Sequence, residues 1–573
     1  MTDLGTRLPR PSPAGRGPGR GARLLPLAWA AATFALLAAT APAQGIGRDE
    51  SVYLVAAESY ASFWGELARS PRAALAVLDR AFTVNREHPP LAKEVYGATH
   101  ALFTERLAWT SHLQGARLGA FAFGALLSAL LAAAGLELAG LAGGLLAPAL
   151  FWAVPRHFYH GHPAALDQPI AALWLAVVLA YRRSLAPAPT RAAALGRAAW
   201  AGLAFGVALA VKHNAWFLPP LLLVHWAAAS ALARLRGERA TPFPLAFPAM
   251  ALLGPAVFFA SWPWLWRDTA ARLGAYVGFH LHHENYSWHY LGTLLREPPF
   301  PIEYPFVVTA LTVPATVLLA YVGGFAHSAW RFVTSSVRVP SVHPERSPAQ
   351  PDVVEGRTDT ASPADELLWL LNALFPIALI AWPTVPHFGG VKHWLPAMPF
   401  LALLGARALA AAGRALWPAR GGAVTAALGL LTLAPAAWTV AHIHPYGTGA
   451  YNELTGGAPG AATLGMQRQY WGDAPVGVLA ALDAHAAPGA RIWWQETTAL
   501  AVRAYQRDGR LRADLRWADA PEEADLSLWQ FHQEFRDKEY RTWTAFGEAR
   551  PVVVLALDEV PLVMVYARRG AWR

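Results

Sequence analysis

Apolar runs of about 20 residues recur along this chain from residue 24 to residue 441. A run of that length crosses the roughly 30 Å hydrocarbon core of a bilayer as a single α-helix. The composition agrees, because 55% of the 573 residues are hydrophobic and only 15% are charged, against about 25% charged residues in soluble domains. The sequence therefore predicts a mainly α, polytopic membrane helix bundle and argues against a soluble globular protein.

Eleven membrane spans are predicted from the apolar runs and their basic flanks. They lie near residues 24–43, 116–134, 138–154, 163–181, 198–211, 214–232, 244–262, 304–323, 366–382, 393–411 and 423–441. Arginines collect in the loops that alternate to one side, which indicates that this side is cytoplasmic. We therefore expect a multi-pass protein of a bacterial inner or plasma membrane, with a cytoplasmic N-terminus and an extracytoplasmic C-terminus. Short segments around Lys212 would allow a span count that differs by two, and a cleaved signal peptide is the alternative for the first run.

The remaining segments differ in composition and in predicted role. Residues 1–23 are predicted to be a disordered basic cytoplasmic tail, and the Pro/Ser/Asp-rich residues 324–365 a flexible cytoplasmic linker. Within the transmembrane domain, 24–441, residues 44–115 are expected to form a first outer loop with interfacial helices. Alternating apolar strands predict a small extracytoplasmic α/β domain at 442–573.

Composition and missing motifs exclude several classes of function. The net charge of +9 comes from basic residues between apolar runs, so membrane topology explains it and no nucleic-acid partner is expected. The absence of cysteine excludes disulfides, thiol nucleophiles and cysteine-ligated zinc. The chain also has no Walker A, GxGxxG or GxSxG motif, which disfavours a nucleotide-sugar donor and a serine-hydrolase mechanism.

Polar residues collect in six clusters, and the predicted topology places all six on the outer face. They are GRDESVY at 47–53, REHPPLAKE at 86–94, RHFYHGHPAALDQP at 156–169, KHN at 212–214, HLHHENYSWHY at 280–290 and PHFGGVKHW at 386–394. A pump or transporter would instead place ionisable residues near the bilayer centre. The pattern favours an enzyme site at the membrane–water boundary, although each single cluster is also compatible with an ordinary solvated loop.

The residue types in these clusters are suited to group transfer from an anionic lipid. Asp49, directly after the first span, could accept a proton from an acceptor hydroxyl or amine. Lys212, Lys392 and Arg156 at span ends could neutralise a lipid phosphate as it leaves. The alternatives are an interfacial carboxylate for Asp49 and snorkelling or headgroup contact for the lysines.

Histidines in the same loops raise the question of a metal. His157, His160 and His162 form one candidate ligand set, and His280, His282, His283 and Glu284 form another. No HExxH motif accompanies them. We expect no metal and no other cofactor, and metal binding stays an open alternative.

Several of these segments carry a family resemblance. Asp49 and Glu50 after the first span, HPPLAK at 88–93, Asp167 in ALDQP, Lys212 at a span end and VKHWLPAMPFLALL near the last spans resemble the GT-C polytopic glycosyltransferases. More narrowly, they are similar to the lipid A aminoarabinose transferase and to bacterial, family 39-like relatives of the protein O-mannosyltransferases. HPYGTGAYNELTGGAPGA followed by YWGD resembles the segment that opens the C-terminal domain of many bacterial members.

The resemblance implies a lipid-phosphate-dependent hexosyl- or pentosyltransferase of the cell envelope. A sugar would pass, with inversion, from a polyprenyl phosphate to a protein, lipid or glycan acceptor. The implied catalytic residues are Asp49, as general base, and Glu50. The remaining implied roles are orientation of donor or acceptor by Glu87, Asp167 and Asn214, and binding of the lipid phosphate by His88, Lys93, Arg156, Lys212, Lys392 and His393. A lipid-linked sugar flippase and a non-catalytic membrane assembly partner are the alternative functions.

Overall fold

The computed structural model describes residues 20–337 and 362–573. Seven helical segments within these residues are long and apolar enough to cross a bilayer. They are Ala22–Ala43, His112–Trp152, Arg191–Leu209, His213–Leu235, Pro363–Ile380, Leu395–Leu416 and Pro418–Ile443. Each of the eleven predicted spans contains a helix, including the shorter ones. The prediction of a mainly α membrane bundle with a small C-terminal sheet domain is confirmed.

The α-helices of the described residues are numbered in chain order. They are α1 (Arg20–Thr40), α2 (Arg48–Arg69), α3 (Pro71–Phe82), α4 (Leu91–His100), α5 (His112–Trp152), α6 (Pro155–His160), α7 (Asp167–Leu185), α8 (Arg191–Leu209), α9 (Leu218–Leu235), α10 (Ala246–Ser261), α11 (Thr269–Leu281), α12 (Tyr304–Thr312), α13 (Ala315–Val337), α14 (Pro363–Ile380), α15 (Met398–Leu416), α16 (Gly421–Ile443), α17 (Gly457–Thr463), α18 (Leu479–His485), α19 (Ala499–Arg507) and α20 (Arg536–Phe546). Helices α2 to α4 form the predicted helical first loop.

Helix α5 is a hairpin of two spans. Its backbone leaves the helical region at Ala139 and Gly140, where Gly140 has a φ of +63°. A Cβ placed on Gly135 would lie 2.3 Å from the carbonyl oxygen of Gly143. In a continuous helix, two groups separated by eight residues lie about 12 Å from each other. The close approach therefore shows that the chain reverses direction between Gly135 and Gly143. Glycine permits both the positive φ and the close approach, and the two predicted spans 116–134 and 138–154 are therefore separate.

A buried ion-pair cluster joins three helices at the end of the bundle that the arginine pattern places in the cytoplasm. Arg407 of α15 donates to both carboxylate oxygens of Glu366 on α14 at 2.8 and 2.7 Å. Arg331 of α13 donates to the same carboxylate at 2.7 Å. Glu366 is fully buried, so this pairing offsets the cost of burying its charge.

Two predicted boundaries near this end shift. Helix α13 continues to Val337 and α14 begins at Pro363, so the predicted linker 324–365 begins and ends with helical residues; residues 338–361 lie outside the described part. Helix α1 begins at Arg20, inside the predicted tail 1–23. Residues 1–19 lie outside the described part as well.

The C-terminal residues fold into a five-stranded mixed sheet. Its strands are β3 (Arg491–Trp494), β4 (Arg516–Ala518), β5 (Leu526–Gln530), β6 (Val553–Leu557) and β7 (Val560–Ala567), in the order β4-β3-β5-β7-β6. Strand β3 runs parallel to β4 and β5, pairing Ile492 with Leu526, and β7 runs antiparallel to β5 and β6. The short strand β4 was not predicted. A separate hairpin, β1 (Trp288–Tyr290) and β2 (Thr293–Leu295), precedes α12.

Candidate functional site

Asp49 lies in the first turn of α2 and is held by two distant segments. Lys392 Nζ donates to Asp49 Oδ2 at 3.2 Å, and the indole Nε1 of Trp471 donates to the same oxygen at 2.8 Å. The Lys392 ammonium also lies over the Trp471 ring, 4.7 Å from its centroid. In the described residues, no hydrogen bond involves Asp49 Oδ1, and about a third of the Asp49 side chain is exposed. Asp49 therefore keeps one carboxylate oxygen accessible.

Backbone conformations with positive φ at Trp471 and at Gly389 accompany the contacts of Trp471 and Lys392 with Asp49. Trp471 has a φ of +77°, a conformation that costs free energy in a non-glycine residue, and its carbonyl accepts the backbone N–H of Arg48 at 2.7 Å. Gly389 has a φ of +67°, and a Cβ there would lie 2.2 Å from Lys392 Cε. Trp471 was missed as a site residue, although the YWGD motif that contains it was noted.

Asp167 and Lys212 form a second pair next to the first. Lys212 Nζ donates to Asp167 Oδ1 at 2.5 Å, and both side chains are less than a tenth exposed. Asp167 begins α7, whereas Lys212 precedes the short 3₁₀-helix His213–Phe217. We refer to Asp49, Lys392, Trp471, Asp167 and Lys212 as the polar site.

Tyr53 shows that the acidic groups converge. It lies one turn after Asp49, and burial together with the nearby carboxylates of Asp49, Asp167 and Glu87 raises its pKa. Carboxylates from three separate segments therefore lie near enough to act electrostatically on one phenol. Tyr53 itself was not predicted as a site residue.

Arg156 and His393 border the polar site. The Arg156 guanidinium lies over the rings of Tyr451 and Tyr470, 4.9 and 5.7 Å from their centroids, and its Nε donates to the carbonyl of Ala450. A Cβ on Gly390 would lie 3.0 Å from Arg156 Nη1, so the glycine brings the Lys392 segment close to the guanidinium. His393 Nε2 is buried and has no hydrogen-bond partner among the described residues.

Two predicted site residues, Glu50 and Lys93, are bonded to groups outside the polar site. Both oxygens of Glu50 accept from Arg117 at 2.8 Å, and Oε1 also accepts the backbone N–H of Ala164. Lys93 Nζ donates to Asn85 Oδ1 and to the carbonyls of Asn85 and His88. Burial lowers the pKa of Lys93 to about 7. Glu50 and Lys93 therefore stabilise the first loop, and their predicted chemical roles have no direct contact in support.

His88 lies in a group of three imidazoles. One ring nitrogen from each of His88, His213 and His280 lies within 4.8 Å of the other two. We call these three residues the imidazole cluster. Glu87 and Asn214 flank it: the Glu87 carbonyl accepts from His280 Nε2 at 3.0 Å, and Asn214 Oδ1 is buried without a partner among the described residues.

The two histidine sets considered from sequence are not brought together. His157 and His162 bond to the carbonyls of Phe151 and Phe158, and His160 bonds to the Tyr470 hydroxyl. His282, in the other set, is exposed and bonds to the carbonyl of Gly278. The actual cluster draws one histidine from each of three segments, so spacing within one segment could not reveal it.

An apolar cavity of about 790 Å³ lies between α8, α9, α10 and α11. Its lining includes Phe205, Leu223, Phe247, Met250, Phe258 and Leu273. Two further lining residues, Trp216 and Tyr276, contact the imidazole cluster, with ring centroids 5.9 Å from His213 and 4.9 Å from His280 respectively. The cavity and the imidazole cluster therefore share Trp216 and Tyr276 as neighbours, although none of the three histidines lines the cavity. His213 directly follows Lys212 of the polar site.

Fold and site together define a polytopic membrane protein with an acid–cation site beside an apolar cavity. The structure is similar to that of ArnT from Cupriavidus metallidurans bound to undecaprenyl phosphate, with a TM-score of 0.49, 14% identity and coverage of 96% of this chain and 98% of that chain. For the apo form of the same ArnT the TM-score is 0.49 and the sequence identity 15%, with coverage of 95% of this chain and 98% of that chain. For the apo oligosaccharyltransferase from Archaeoglobus fulgidus the TM-score is 0.45 and the sequence identity 11%, with coverage of 72% of this chain and 55% of that chain.

ArnT, a lipid A aminoarabinose transferase, and the oligosaccharyltransferase are both GT-C glycosyltransferases, the class that the sequence motifs resemble. No protein-family model matches the chain, and no curated protein matches its sequence.

Proposed function

We propose that this protein is a membrane glycosyltransferase that moves a sugar from a polyprenyl phosphate to an acceptor on the extracytoplasmic face. The observation that carries the proposal is the polar site, with its two lysine–carboxylate pairs. Trp216, in the short helix that follows Lys212, lines the apolar cavity. A polyprenyl tail fits an apolar cavity within the bundle, and its phosphate would then lie near Lys212 and Lys392. Asp49 contacts Lys392 through one carboxylate oxygen, and its side chain is about a third exposed, so a second substrate could approach the other oxygen.

The proposed reaction is a single displacement at the anomeric carbon. The acceptor hydroxyl or amine attacks this carbon, and its proton passes to Asp49 Oδ1. The bond between the anomeric carbon and the phosphate oxygen breaks, and the lipid phosphate leaves with the electron pair. One such attack inverts the configuration, as in other single-displacement glycosyl transfers.

The cations have distinct parts in this reaction. Lys392 is paired with Asp49 at 3.2 Å, and an arriving phosphate would compete for its ammonium. Lys212, oriented by Asp167, and Arg156 would neutralise the charge that develops on the leaving phosphate. His88, His393, Glu87 and Asn214 border the same space and are proposed to contact phosphate, sugar or acceptor.

Transfer by purified protein tests the proposal. The protein in detergent is given a panel of polyprenyl-phosphate hexoses and pentoses with peptide, lipid and glycan acceptors, and both sugar transfer and sugar release are measured. Asp49→Asn should lower the rate at least ~100-fold, because it removes the general base, while binding of the lipid donor persists. Asp537→Asn, an exposed aspartate at the start of α20, is the matched control and should keep full activity.

Full transfer by Asp49→Asn would contradict the assigned base. Donor binding without turnover across the whole panel would contradict the glycosyltransferase proposal and favour transport of the lipid-linked sugar. Comparison of hexose and pentose donors in the same panel identifies the sugar class.

A further inference from the structure

We propose that the C-terminal domain positions the general base of the transfer reaction through the indole of Trp471. The indole Nε1 donates to Asp49 Oδ2 at 2.8 Å, and Trp471 belongs to the YWGD motif at 470–473. The role of Asp49 as base rests on the proposed function, whereas the contact between Trp471 and Asp49 does not. Trp471 is a positioning residue, because it acts through Asp49.

The two partners of Asp49 Oδ2 decide which carboxylate oxygen takes the proton. Trp471 Nε1 and Lys392 Nζ both bond to Oδ2. An indole N–H and an ammonium are donors only, so they occupy the two lone pairs of this oxygen and accept no proton from it. The proton of the acceptor is therefore directed to Asp49 Oδ1.

Of these two donors to Asp49, Trp471 is the one that stays when the lipid-linked sugar binds. An anionic phosphate competes for the ammonium of Lys392, because a charged donor and a charged acceptor form the stronger hydrogen bond. The indole N–H carries no net charge and is held by the surrounding chain. Its bond to Oδ2 then keeps Asp49 Oδ1 turned toward the acceptor.

The ends of two parallel strands hold the segment that carries Trp471. Strand β3 pairs in parallel with β4 on one side and with β5 on the other, and the carboxyl ends of strands at such a switch of order are where α/β sheets bind ligands. Here the chain itself occupies this edge. A Cβ on Gly472 would lie 2.4 Å from the carbonyl oxygen of Glu496, which follows β3. Gln530, the last residue of β5, donates from Nε2 to the Gly472 carbonyl at 3.5 Å.

The first turn of α2 contacts the same edge of the sheet. Arg48, the residue before Asp49, pairs with Glu496 at 2.5 Å, and its backbone N–H donates to the Trp471 carbonyl at 2.7 Å. These bonds accompany the φ of +77° at Trp471, a conformation that persists in a non-glycine residue only where the surroundings enforce it. The sheet edge therefore fixes Trp471 and the start of α2 relative to each other.

The indole ring is also packed on several sides. The ring of His160 meets it in a T-shaped contact with centroids 5.0 Å apart, and the Lys392 ammonium lies 4.7 Å from its centroid. A Cβ on Gly47 would lie 3.6 Å from atoms of the Trp471 side chain. Since the ring has this packing role as well, a decisive test removes the N–H and keeps the ring.

Replacement of Trp471 by β-(3-benzothienyl)alanine makes this change, because sulfur takes the place of the N–H in a ring system of the same shape. In purified full-length protein we expect kcat for sugar transfer to fall about 10- to 100-fold, the effect of one hydrogen bond to a charged group. The affinity for the polyprenyl-phosphate donor should stay the same. The pH below which transfer declines should rise, because the N–H no longer stabilises the ionised carboxylate.

Trp517 provides the matched control. Its Nε1 donates to Asp519 Oδ1 at 2.9 Å, and it lies in β4 at the edge of the sheet. The same replacement at Trp517 removes an indole–aspartate hydrogen bond outside the polar site and should leave kcat and its pH dependence unchanged. Full transfer by the Trp471 analogue would overturn the proposal. Loss of transfer with an unchanged pH dependence would also overturn it, since it would show a purely structural Trp471.

The role of the sheet edge is tested at Gly472. Gly472→Ala adds a Cβ that clashes with the Glu496 carbonyl at a φ of +73°, whereas Gly547→Ala, at a φ of +64°, meets no described atom within 4 Å. We expect Gly472→Ala to reproduce the loss of kcat and the altered pH dependence of the Trp471 analogue, and Gly547→Ala to keep normal transfer. Normal transfer by Gly472→Ala would contradict a positioning role of the C-terminal domain. If Gly472→Ala does not fold, the Trp471 analogue, which keeps the backbone, decides the question.

The contact between Trp471 and Asp49 is observable without any donor. In the detergent-solubilised chain with ¹⁵N-labelled tryptophan, the indole N–H signal of Trp471 is the one missing from the Trp471 analogue. This signal should move upfield in Asp49→Asn, while that of Trp517 stays in place. A Trp471 signal that does not respond would overturn the contact. Because this measurement needs no turnover, it separates failure of the positioning role from failure of the proposed function, which donor binding without transfer would show.

Discussion

Asp49 and Glu50 are neighbours in α2, but their side chains have opposite surroundings. Successive helical residues point about 100° apart, so one carboxylate can face a site while the next faces the protein interior. Asp49 is about a third exposed, whereas Glu50 is 1% exposed and bonded through both oxygens to Arg117. The Glu50–Arg117 pair therefore supports the structure, whereas Asp49 has the exposure that its proposed role as general base requires.

Removing one partner of the Glu50–Arg117 pair should destabilise the protein. Arg117→Met leaves the Glu50 carboxylate buried without its counter-ion, which costs about 3–5 kcal/mol, and it also removes donors to the carbonyls of Ala41, Gln44 and Gly45. Thermal unfolding in detergent measures the loss, and the double variant Glu50→Gln/Arg117→Met should recover part of it. Normal stability with complete loss of transfer in Glu50→Gln would instead support a catalytic Glu50.

The segment with the YWGD motif connects the membrane bundle to the sheet domain. Asp473 is buried beside the connection between α1 and α2, where a Cβ on Gly45 would lie 1.9 Å from the Asp473 carbonyl oxygen. Gln44 donates to its carboxylate at 3.4 Å. Burial, and the nearby Glu50 carboxylate, raise the pKa of Asp473 to about 7 against the opposing effect of Arg117.

The raised pKa predicts that this connection weakens as pH rises. The folded state favours protonated Asp473, so its contribution is complete below the ordinary aspartate value and is lost as pH rises to about 7. Over that window the free energy of unfolding falls by about 1.4 kcal/mol per pH unit. Asp473→Asn cannot ionise and should lack this component. The melting temperatures of the unmodified chain and the variant are compared from pH 5 to pH 7.5. The melting temperature of the unmodified chain should fall relative to that of the variant as pH rises, and a constant difference would contradict the raised pKa of Asp473.

For the molecule as a whole, the lipid environment decides which features could be predicted from sequence, because it requires apolar helices of a fixed length with basic flanks. Apolar length and arginine position are local signals, so the apolar helices and a shared side for Asp49, Asp167 and Lys392 could be predicted one segment at a time. Contacts between segments could not: Arg117 lies within a predicted span, and nothing local pairs it with Glu50. The imidazole cluster likewise depends on how three segments pack, and Lys93 turns inward to bonds that only the folded loop provides.

The orientation of the whole molecule in the membrane stays a prediction, and the cysteine-free chain makes it directly testable. The ion pair between Glu58 of α2 and Arg507 of α19, 2.7 Å long, places the first loop and the C-terminal domain on one side. The pair between Arg182 and Asp365, 2.6 Å long, joins the end of α7 to the start of α14 on the predicted cytoplasmic side.

Single cysteines at exposed positions should report this arrangement. Ser62→Cys and Ala513→Cys should react with a membrane-impermeant maleimide in intact cells, because both positions are predicted to face outward and are exposed. Ala186→Cys and Ala419→Cys, exposed at the other end, should react only after the membrane is opened. The reverse pattern would place Asp49 in the cytoplasm and contradict transfer on the outer face. Labelling of all four positions in intact cells would show a leaky membrane, which an unmodified cytoplasmic cysteine protein in the same cells detects.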